Sequence, residues 1–444
     1  MKIVMLENRY KTFFWDALAE YFIEQGHVVA WVVQNPSFMP KNGVANVIAF
    51  PSSRDARALS KSYGLEKIVR SDRYINYFGG DTSHYEYYYA EIERILLKEK
   101  PELVIGEATL FHELMAVDWC KKNDVPFFHP SMPGYPGGRY SIYLGDTKDA
   151  IGGATDLPSD EECYSLAEAI RKRERIPDYM RPSLPTDHGR TFPVHGSFAN
   201  RLLLIKSYLR GERFNTPSPW RKRKLDKAVS RRLIRWSEIC TEKFKLDDGC
   251  RYLLYPMQMQ PESNLDLWGQ EYREQSRLIS DLADILPPGW KLLVKLNPKS
   301  KYELDDTLIN ILSVNHRIIP IPFEMGMDKI FSRVHLVCTV TGTIAVESIL
   351  SCKPVVQFGP GILSDEAGYA HANSVVEIKD VIARIEAAQF QLADDQGRTE
   401  LVKKLYFTTF PGFISDPASL PSVLDSKNII QVGENLIRVA ERCI

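Results

Sequence analysis

Four short apolar runs between Tyr252 and Phe358 constrain this chain more than anything else in it: Tyr252–Tyr255, Lys291–Lys295, His335–Val340 and Pro354–Phe358. Each is short enough for a buried strand. Helical stretches separate them, notably Gln270–Leu286 and Ile344–Leu350. Such alternation predicts an α/β fold with a parallel sheet covered by helices. Polar residues gather just after the runs: Gln258, Gln260, Glu262 and Ser263; then Asn297, Lys299 and Ser300; then Thr341, Gly342 and Thr343. Ligands of open α/β sheets bind beyond the carboxyl ends of strands, so the three clusters point to one site.

A chain of 444 residues exceeds what one core usually supports, and two domains are expected. The divisions read as an α/β domain over 1–150, a helical insertion and linker over 151–248, a second α/β domain over 249–410, and a crossover with a final helix over 411–444. A net charge of -1 argues against broad nucleic-acid binding. Seven scattered cysteines without a C-x-x-C pair argue against a zinc site and a disulfide framework, and favour a reducing cytoplasm. Met1–Met5 runs straight into a first strand, with no signal peptide before it and no apolar run long enough to span a membrane.

Lys2–Leu6, Phe13–Gln25 and His27–Val33 read as strand, helix and strand, a right-handed β-α-β opening. It lacks G-x-G-x-x-G, so the dinucleotide fingerprint is absent. The loop Glu7–Lys11 reads as an ordinary connection that could line a cleft. Asn46–Phe50 is a third strand and Ser83–Lys98 a tyrosine-rich helix for packing. Leu103–Ile105 is a strand followed by Gly106-Glu107-Ala108-Thr109, then a helix Leu110–Lys122 and a strand Pro126–His129. Glu107 therefore sits at a strand-to-helix turn, where it is either a catalytic carboxylate or a helix-capping acid. His112 and Glu113 read as surface or supporting residues. Ser131–Tyr140 is a Gly/Pro loop whose Arg139 either binds an acidic ligand or is solvated. Pro177–Pro193 is proline-rich, Phe198–Leu209 and Arg221–Phe244 read as helices, and the basic run Arg221, Lys222, Arg223, Lys224 is a solvated face or a contact for anionic lipid. Val375–Ala387, Glu400–Tyr406 and Ser426–Arg442 complete the helices.

Three segments together resemble bacterial capsule-polysaccharide biosynthesis glycosyltransferases, the group that includes Kdo transferases. Tyr255-Pro256-Met257-Gln258-Met259-Gln260-Pro261-Glu262 is similar to that group's strand and Q-P-E turn. Leu286-Pro287-Pro288-Gly289 with Val294-Lys295-Leu296-Asn297-Pro298 resembles its "LP-x-G … VK-x-HP" pattern. Thr341-Gly342-Thr343, Glu347 and Lys353-Pro354-Val355-Val356 resemble "TGT … E … KP". The match runs from Tyr255 to Val356, and the first domain shares only the general plan. The resemblance implies a GT-B arrangement: two Rossmann-like domains facing across a cleft, with a nucleotide-sugar donor mainly on the second. It implies no metal and no cofactor beyond the donor, which would be CMP-linked. Asn297 stands where the group usually has histidine, so a neutral donor replaces a cation, and Lys295 or Lys299 would supply charge.

Glycosyl transfer needs a holder for the leaving phosphate, partners for the nucleoside, and a base or nucleophile. Thr341, Gly342 and Thr343 open a helix and could bind phosphate, or simply cap it. Gln260 and Glu347 are candidates for base and ribose, Glu347 otherwise being a solvent-facing acid. Glu107 is the expected base, with Glu262 a second carboxylate if transfer proceeds by double displacement. The expected partners are a nucleotide-sugar donor and a glycan or glycolipid acceptor, in the cytoplasm or peripherally at the inner membrane, with no nucleic acid. The alternatives are a UDP- or GDP-sugar transferase, a UDP-sugar 2-epimerase-like enzyme, or a catalytically silent scaffold.

Overall fold

The computed structural model describes residues 1–60, 64–180, 198–299 and 302–443; Ser300 and residues 181–193 of the proline-rich stretch lie outside them. The chain divides into two compact units. Unit 1 is 1–157, 177–219 and 405–444; unit 2 is 158–176 and 220–404. The stretch 151–248, expected as one insertion, is thus shared between the two units.

Unit 1 holds β1 (Lys2–Leu6), β2 (Val28–Val33), β3 (Val44–Val47), β4 (Leu103–Ile105), β5 (Phe127–Ser131) and β6 (Arg139–Leu144). Unit 2 contributes β7 (Arg251–Pro256), β8 (Trp290–Lys295), β9 (Ile318–Pro320), β10 (Leu336–Thr339), β11 (Val355–Gln357) and β12 (Tyr369–His371), and β13 (Phe410–Pro411) returns to unit 1. β1, β4, β7, β10 and β11 are apolar on both faces and almost wholly buried, as strands covered by helices on each side must be.

The first sheet runs β13-β6-β5-β4-β1-β2-β3. β1 to β5 are parallel, and β6 and β13 add antiparallel. The sheet of unit 2 runs β12-β11-β10-β7-β8-β9 and is parallel throughout. Both have the doubly wound strand order of a Rossmann-like domain. The strand order reverses between β1 and β4 in unit 1, and between β7 and β10 in unit 2. At such a reversal the loops leave in opposite directions and open a crevice at the strands' carboxyl ends.

The core of unit 1 joins Phe14, Trp15, Leu18 and Phe22 of the helix Thr12–Glu24 to Val432, Leu436 and Val439 of the last helix, Ser426–Cys443. The last helix therefore packs on the first domain. It approaches closely because Gly433 has no side chain: a Cβ there would lie 2.3 Å from the Tyr21 ring. In unit 2, Trp236 and Ile239 of the helix Pro219–Lys243 enter a core with Leu253, Tyr255, Leu292 and Val294.

Candidate functional site

In unit 2 the crevice between β7 and β10 is bridged by side chains. Gln258, just past β7, donates from Nε2 to Thr341 Oγ1 at 2.8 Å and accepts Thr341 N–H at 3.1 Å. Thr341 Oγ1 in turn donates to Asn264 O at 2.7 Å. Gln275 braces the β7 loop from behind: its Oε1 accepts from Gln258 N at 2.9 Å and from Tyr255 OH at 3.0 Å, and its Nε2 donates to Gln260 Oε1 at 3.1 Å. Gln260 is buried, and its Nε2 donates to Asp266 at 2.9 Å, so its amide is engaged at both ends in holding the turn. Asp266 also accepts Glu262 N–H at 3.2 Å and Arg273 Nε at 3.3 Å. Glu262 is half-buried at the head of the short helix Ser263–Asp266.

Thr341, Gly342 and Thr343 form the turn after β10, all half-buried. Gly342 N–H donates to Thr339 Oγ1 at 3.2 Å, and a Cβ on Gly342 would lie 2.7 Å from that hydroxyl, so the tight turn requires glycine. Past β8, Asn297 is half-buried and its Oδ1 accepts Lys299 N–H at 2.8 Å, with Lys299 exposed on the turn. Past β11, Gly359 and Gly361 border a hollow of about 280 Å³.

Two expected donor contacts are committed elsewhere. Lys295 Nζ donates to Pro322 O at 3.2 Å and Phe323 O at 2.7 Å, and burial holds its ammonium below the usual lysine range. Glu347 is buried, not solvent-facing, and is ion-paired with Arg173, whose guanidinium stacks 4.3 Å over the Phe331 ring.

The crevice of unit 1 is lined by carboxylates. Glu107 follows β4 as expected, is 7% exposed, and accepts Lys11 Nζ at 2.6 Å. Across the strand reversal, Glu7 follows β1 and is fully buried; its carboxylate accepts Arg9 N–H and, at 2.9 Å, Asn35 N–H. Asn8 links the two loops, donating to Thr109 Oγ1 at 3.3 Å and to Glu113 Oε1 at 2.7 Å. Glu113 and His112 are fully buried, not at the surface. Glu113 also accepts Leu110 N–H at 2.8 Å, closing the start of the helix Phe111–Lys122. His112 Nε2 lies 2.9 Å from Glu7 O, which fixes the proton on Nε2. Arg139 lies on β6, with β5 between that strand and β4. It donates to Thr409 Oγ1 at 2.8 Å and Thr409 O at 2.7 Å, and its guanidinium sits 4.8 Å over Tyr406. It clasps the returning chain.

Burial pushes Glu7 up to about 7, with the two backbone N–H donors opposing. It pushes Glu113 up to about 8, and the neighbouring Glu107 charge adds to the effect. The folded state keeps these protons where the unfolded chain, near 4.5, has released them. Their stabilisation is complete below that value and is lost as pH rises through 7 and 8. Buried His112 and His129, lowered from 6.5 to about 4, act on the other flank and lose stability as pH falls. Between pH 6.5 and 8 only the carboxylates operate, and stability should fall by about 1.4 kcal/mol per pH unit for each group still protonated. Denaturant unfolding at several pH values measures this slope. Glu113→Gln should flatten it, and an unchanged slope would show that Glu113 is ionised in the fold.

Position after a strand singles out Glu107, whereas the Glu7–Lys11 loop reads as an ordinary connection that could line a cleft, with no role for Glu7 itself. A signal was present: each of the two strands ends in an acid at its first loop positions, Leu6-Glu7 and Gly106-Glu107. Gln275 and Asp266 carried no such signal. No group of three or more His, Cys, Asp or Glu able to hold a metal occurs among the described residues.

Fold and crevices define a two-domain α/β protein built of Rossmann-like sheets with polar strand-end loops. No family description and no curated relative matches the chain. Among solved structures it is similar to the beta Kdo 2,7 transferase of Thermosulfurimonas dismutans KpsC, at 10% identity and TM-score 0.40 over 100% of this chain and 99% of that one. It is similar to the beta Kdo 2,4 transferase of the same KpsC, at 12% identity and TM-score 0.35 over 76% and 88%. A third likeness is to the UDP-GlcNAc 2-epimerase of Neisseria meningitidis, at 11% identity and TM-score 0.26 over 100% of both chains.

Proposed function

We propose that this protein is a glycosyltransferase of surface-polysaccharide biosynthesis that transfers an acidic sugar such as Kdo from a CMP-activated donor to a glycan or glycolipid acceptor. One observation carries the reading. The three segments that resemble such enzymes fall at the carboxyl ends of β7, β8 and β10, which are neighbours in one parallel sheet, at its strand-order reversal. Gln258 and Thr341, from the first and third segments, are hydrogen-bonded across that reversal.

In this reading the turn Thr341-Gly342-Thr343 receives the leaving phosphate, with Asn297 and Lys299 at the adjacent strand end, and Glu262 lies beside the sugar. Gln260 and Lys295 hold the loops rather than the ligand. Glu347 reaches the nucleoside only by sharing its carboxylate with Arg173. Glu107, oriented by Lys11, accepts the proton of the acceptor hydroxyl; the hydroxyl oxygen bonds to the anomeric carbon, and the bond to the phosphate oxygen breaks to release CMP. A double displacement would use Glu262 as the second carboxylate. A lipid-borne acceptor would bring the protein to a membrane surface, where Arg221 to Lys224 add positive charge.

A second reading is a UDP- or GDP-sugar transferase or a 2-epimerase-like enzyme. It draws on Asn297, which stands where the group that the segments resemble usually has histidine and so departs from that group's donor site. Thermal-shift measurements with CMP, UDP and GDP compounds separate the two, because a ligand of the native state raises its apparent stability. CMP and CMP-sugars alone should stabilise. Stabilisation by UDP or GDP compounds instead would establish the second reading, and no response to any would defeat both.

A further inference from the structure

The helix Phe198–Arg210 of unit 1 carries apolar side chains on two faces. Its inward side is mixed, with Leu203 and Leu204 half-buried beside two buried polar residues. Asn200 is buried and accepts from Tyr10 OH, and buried Ser207 donates to Asn35 Oδ1 at 3.1 Å. Its outward side is apolar: Phe198 is 77% exposed, Leu202 50%, Ile205 40% and Leu209 75%. At 3.6 residues per turn these four side chains fall within an arc of about 60°. Arg201 lies on one edge of the stripe, and Lys206 and Arg210 on the other, all three exposed. The helix contains no acidic residue, in a chain whose net charge is -1.

We propose that this stripe is a docking surface for an anionic lipid membrane, lying flat in the headgroup region. Water disfavours a contiguous apolar face of this size, so the face implies an occupant. The charge selects which one. An apolar stripe rimmed on both sides by cations, with no anion in the helix, matches hydrocarbon flanked by acidic headgroups. A second copy fits poorly, since self-association would set two rims of like charge against each other. The attachment would be peripheral, since no helix among the described residues is long and apolar enough to cross a membrane. The inference rests on this helix of unit 1 and does not depend on what reaction the protein performs.

The test is co-sedimentation of the full chain with vesicles of phosphatidylethanolamine containing about a quarter phosphatidylglycerol, against neutral phosphatidylcholine vesicles. Binding to the anionic vesicles is expected at about 0.1 M salt and should weaken at about 0.5 M. The double variant Phe198→Ser, Leu209→Ser removes exposed apolar surface without touching the anchored side, and should lower the partition coefficient about tenfold or more at unchanged thermal stability. Three results would overturn the proposal: no binding of the parent chain to anionic vesicles, equal binding by the variant, or a dimer in ultracentrifugation that the variant dissolves while vesicles are ignored.

Discussion

For the transferase proposed above, replacing Glu107 by glutamine is expected to lower turnover by about a hundredfold or more, the usual range for loss of a general base, while nucleotide affinity stays unchanged. β4 ends at Ile105, and Gly106 packs tightly, a Cβ there lying 3.0 Å from Leu6. The chain must therefore leave the strand end sharply, and Glu107 is the first side chain beyond. Lys11 fixes its carboxylate at 2.6 Å from the other loop of the reversal. Glutamine keeps that shape and an oxygen for Lys11 but cannot take up a proton from a sugar hydroxyl. Glycosyl transfer and CMP binding should be measured on the same purified variant. Near-normal turnover would reduce Glu107 to the ion-pair partner of Lys11. Loss of nucleotide binding with the fold intact would move it among the donor contacts.

Truncating Arg398 to alanine should destabilise unit 2 by about 1.5 kcal/mol, because it leaves the Leu350 carbonyl unmet and takes one of two arginines from half-buried Glu168, which keeps Arg171 at 2.6 Å. For a unit of this size that is a fall in Tm of roughly 5 °C. Arg398 is 2% exposed and donates to Glu168 at 2.7 Å and to Leu350 O at 3.1 Å. Its third partner, Asp395 at 2.7 Å, is exposed and contributes little. Glu168 belongs to the segment 158–176, which is far in sequence from the rest of unit 2, and Arg398 is one of its fastenings. The same segment carries Arg173, the partner of Glu347. Calorimetry of the variant reads the change, and an unchanged Tm would show that apolar packing alone holds the segment.

The strands that could be read from sequence were those buried on both faces. Lys2–Leu6 and Leu103–Ile105 have the expected bounds, and Tyr252–Tyr255 and Lys291–Lys295 differ by a residue or so from β7 and β8. Their side chains carry the whole signal, because burial leaves no room for polar residues. Four strands escaped notice. β9, β12 and β13 have two or three residues, too few for any period to show, and β6 follows a Gly/Pro loop that masks its start. The third strand, expected at Asn46–Phe50, is Val44–Val47, mostly exposed and so only weakly tied to a hydrophobic pattern. Site residues divided along similar lines. Position after a strand located Glu107, Thr341 and Asn297. What each side chain is bonded to depends on partners far along the chain, as with Glu347 and Arg173, and adjacency in sequence carries no trace of that.

The return of residues 405–444 to unit 1 has a consequence for how the protein is made. β13 pairs with β6, and the helix Ser426–Cys443 covers the apolar side of Thr12–Glu24. While the ribosome is still translating, the first segment cannot bury Phe22 or Leu18 against Val432 and Leu436, which do not yet exist. Unit 2 has all its strands in hand as soon as residue 404 emerges. The order of maturation is then the reverse of the order of synthesis, with the amino-terminal unit last. In that interval its uncovered face is the part of the nascent chain most in need of a chaperone.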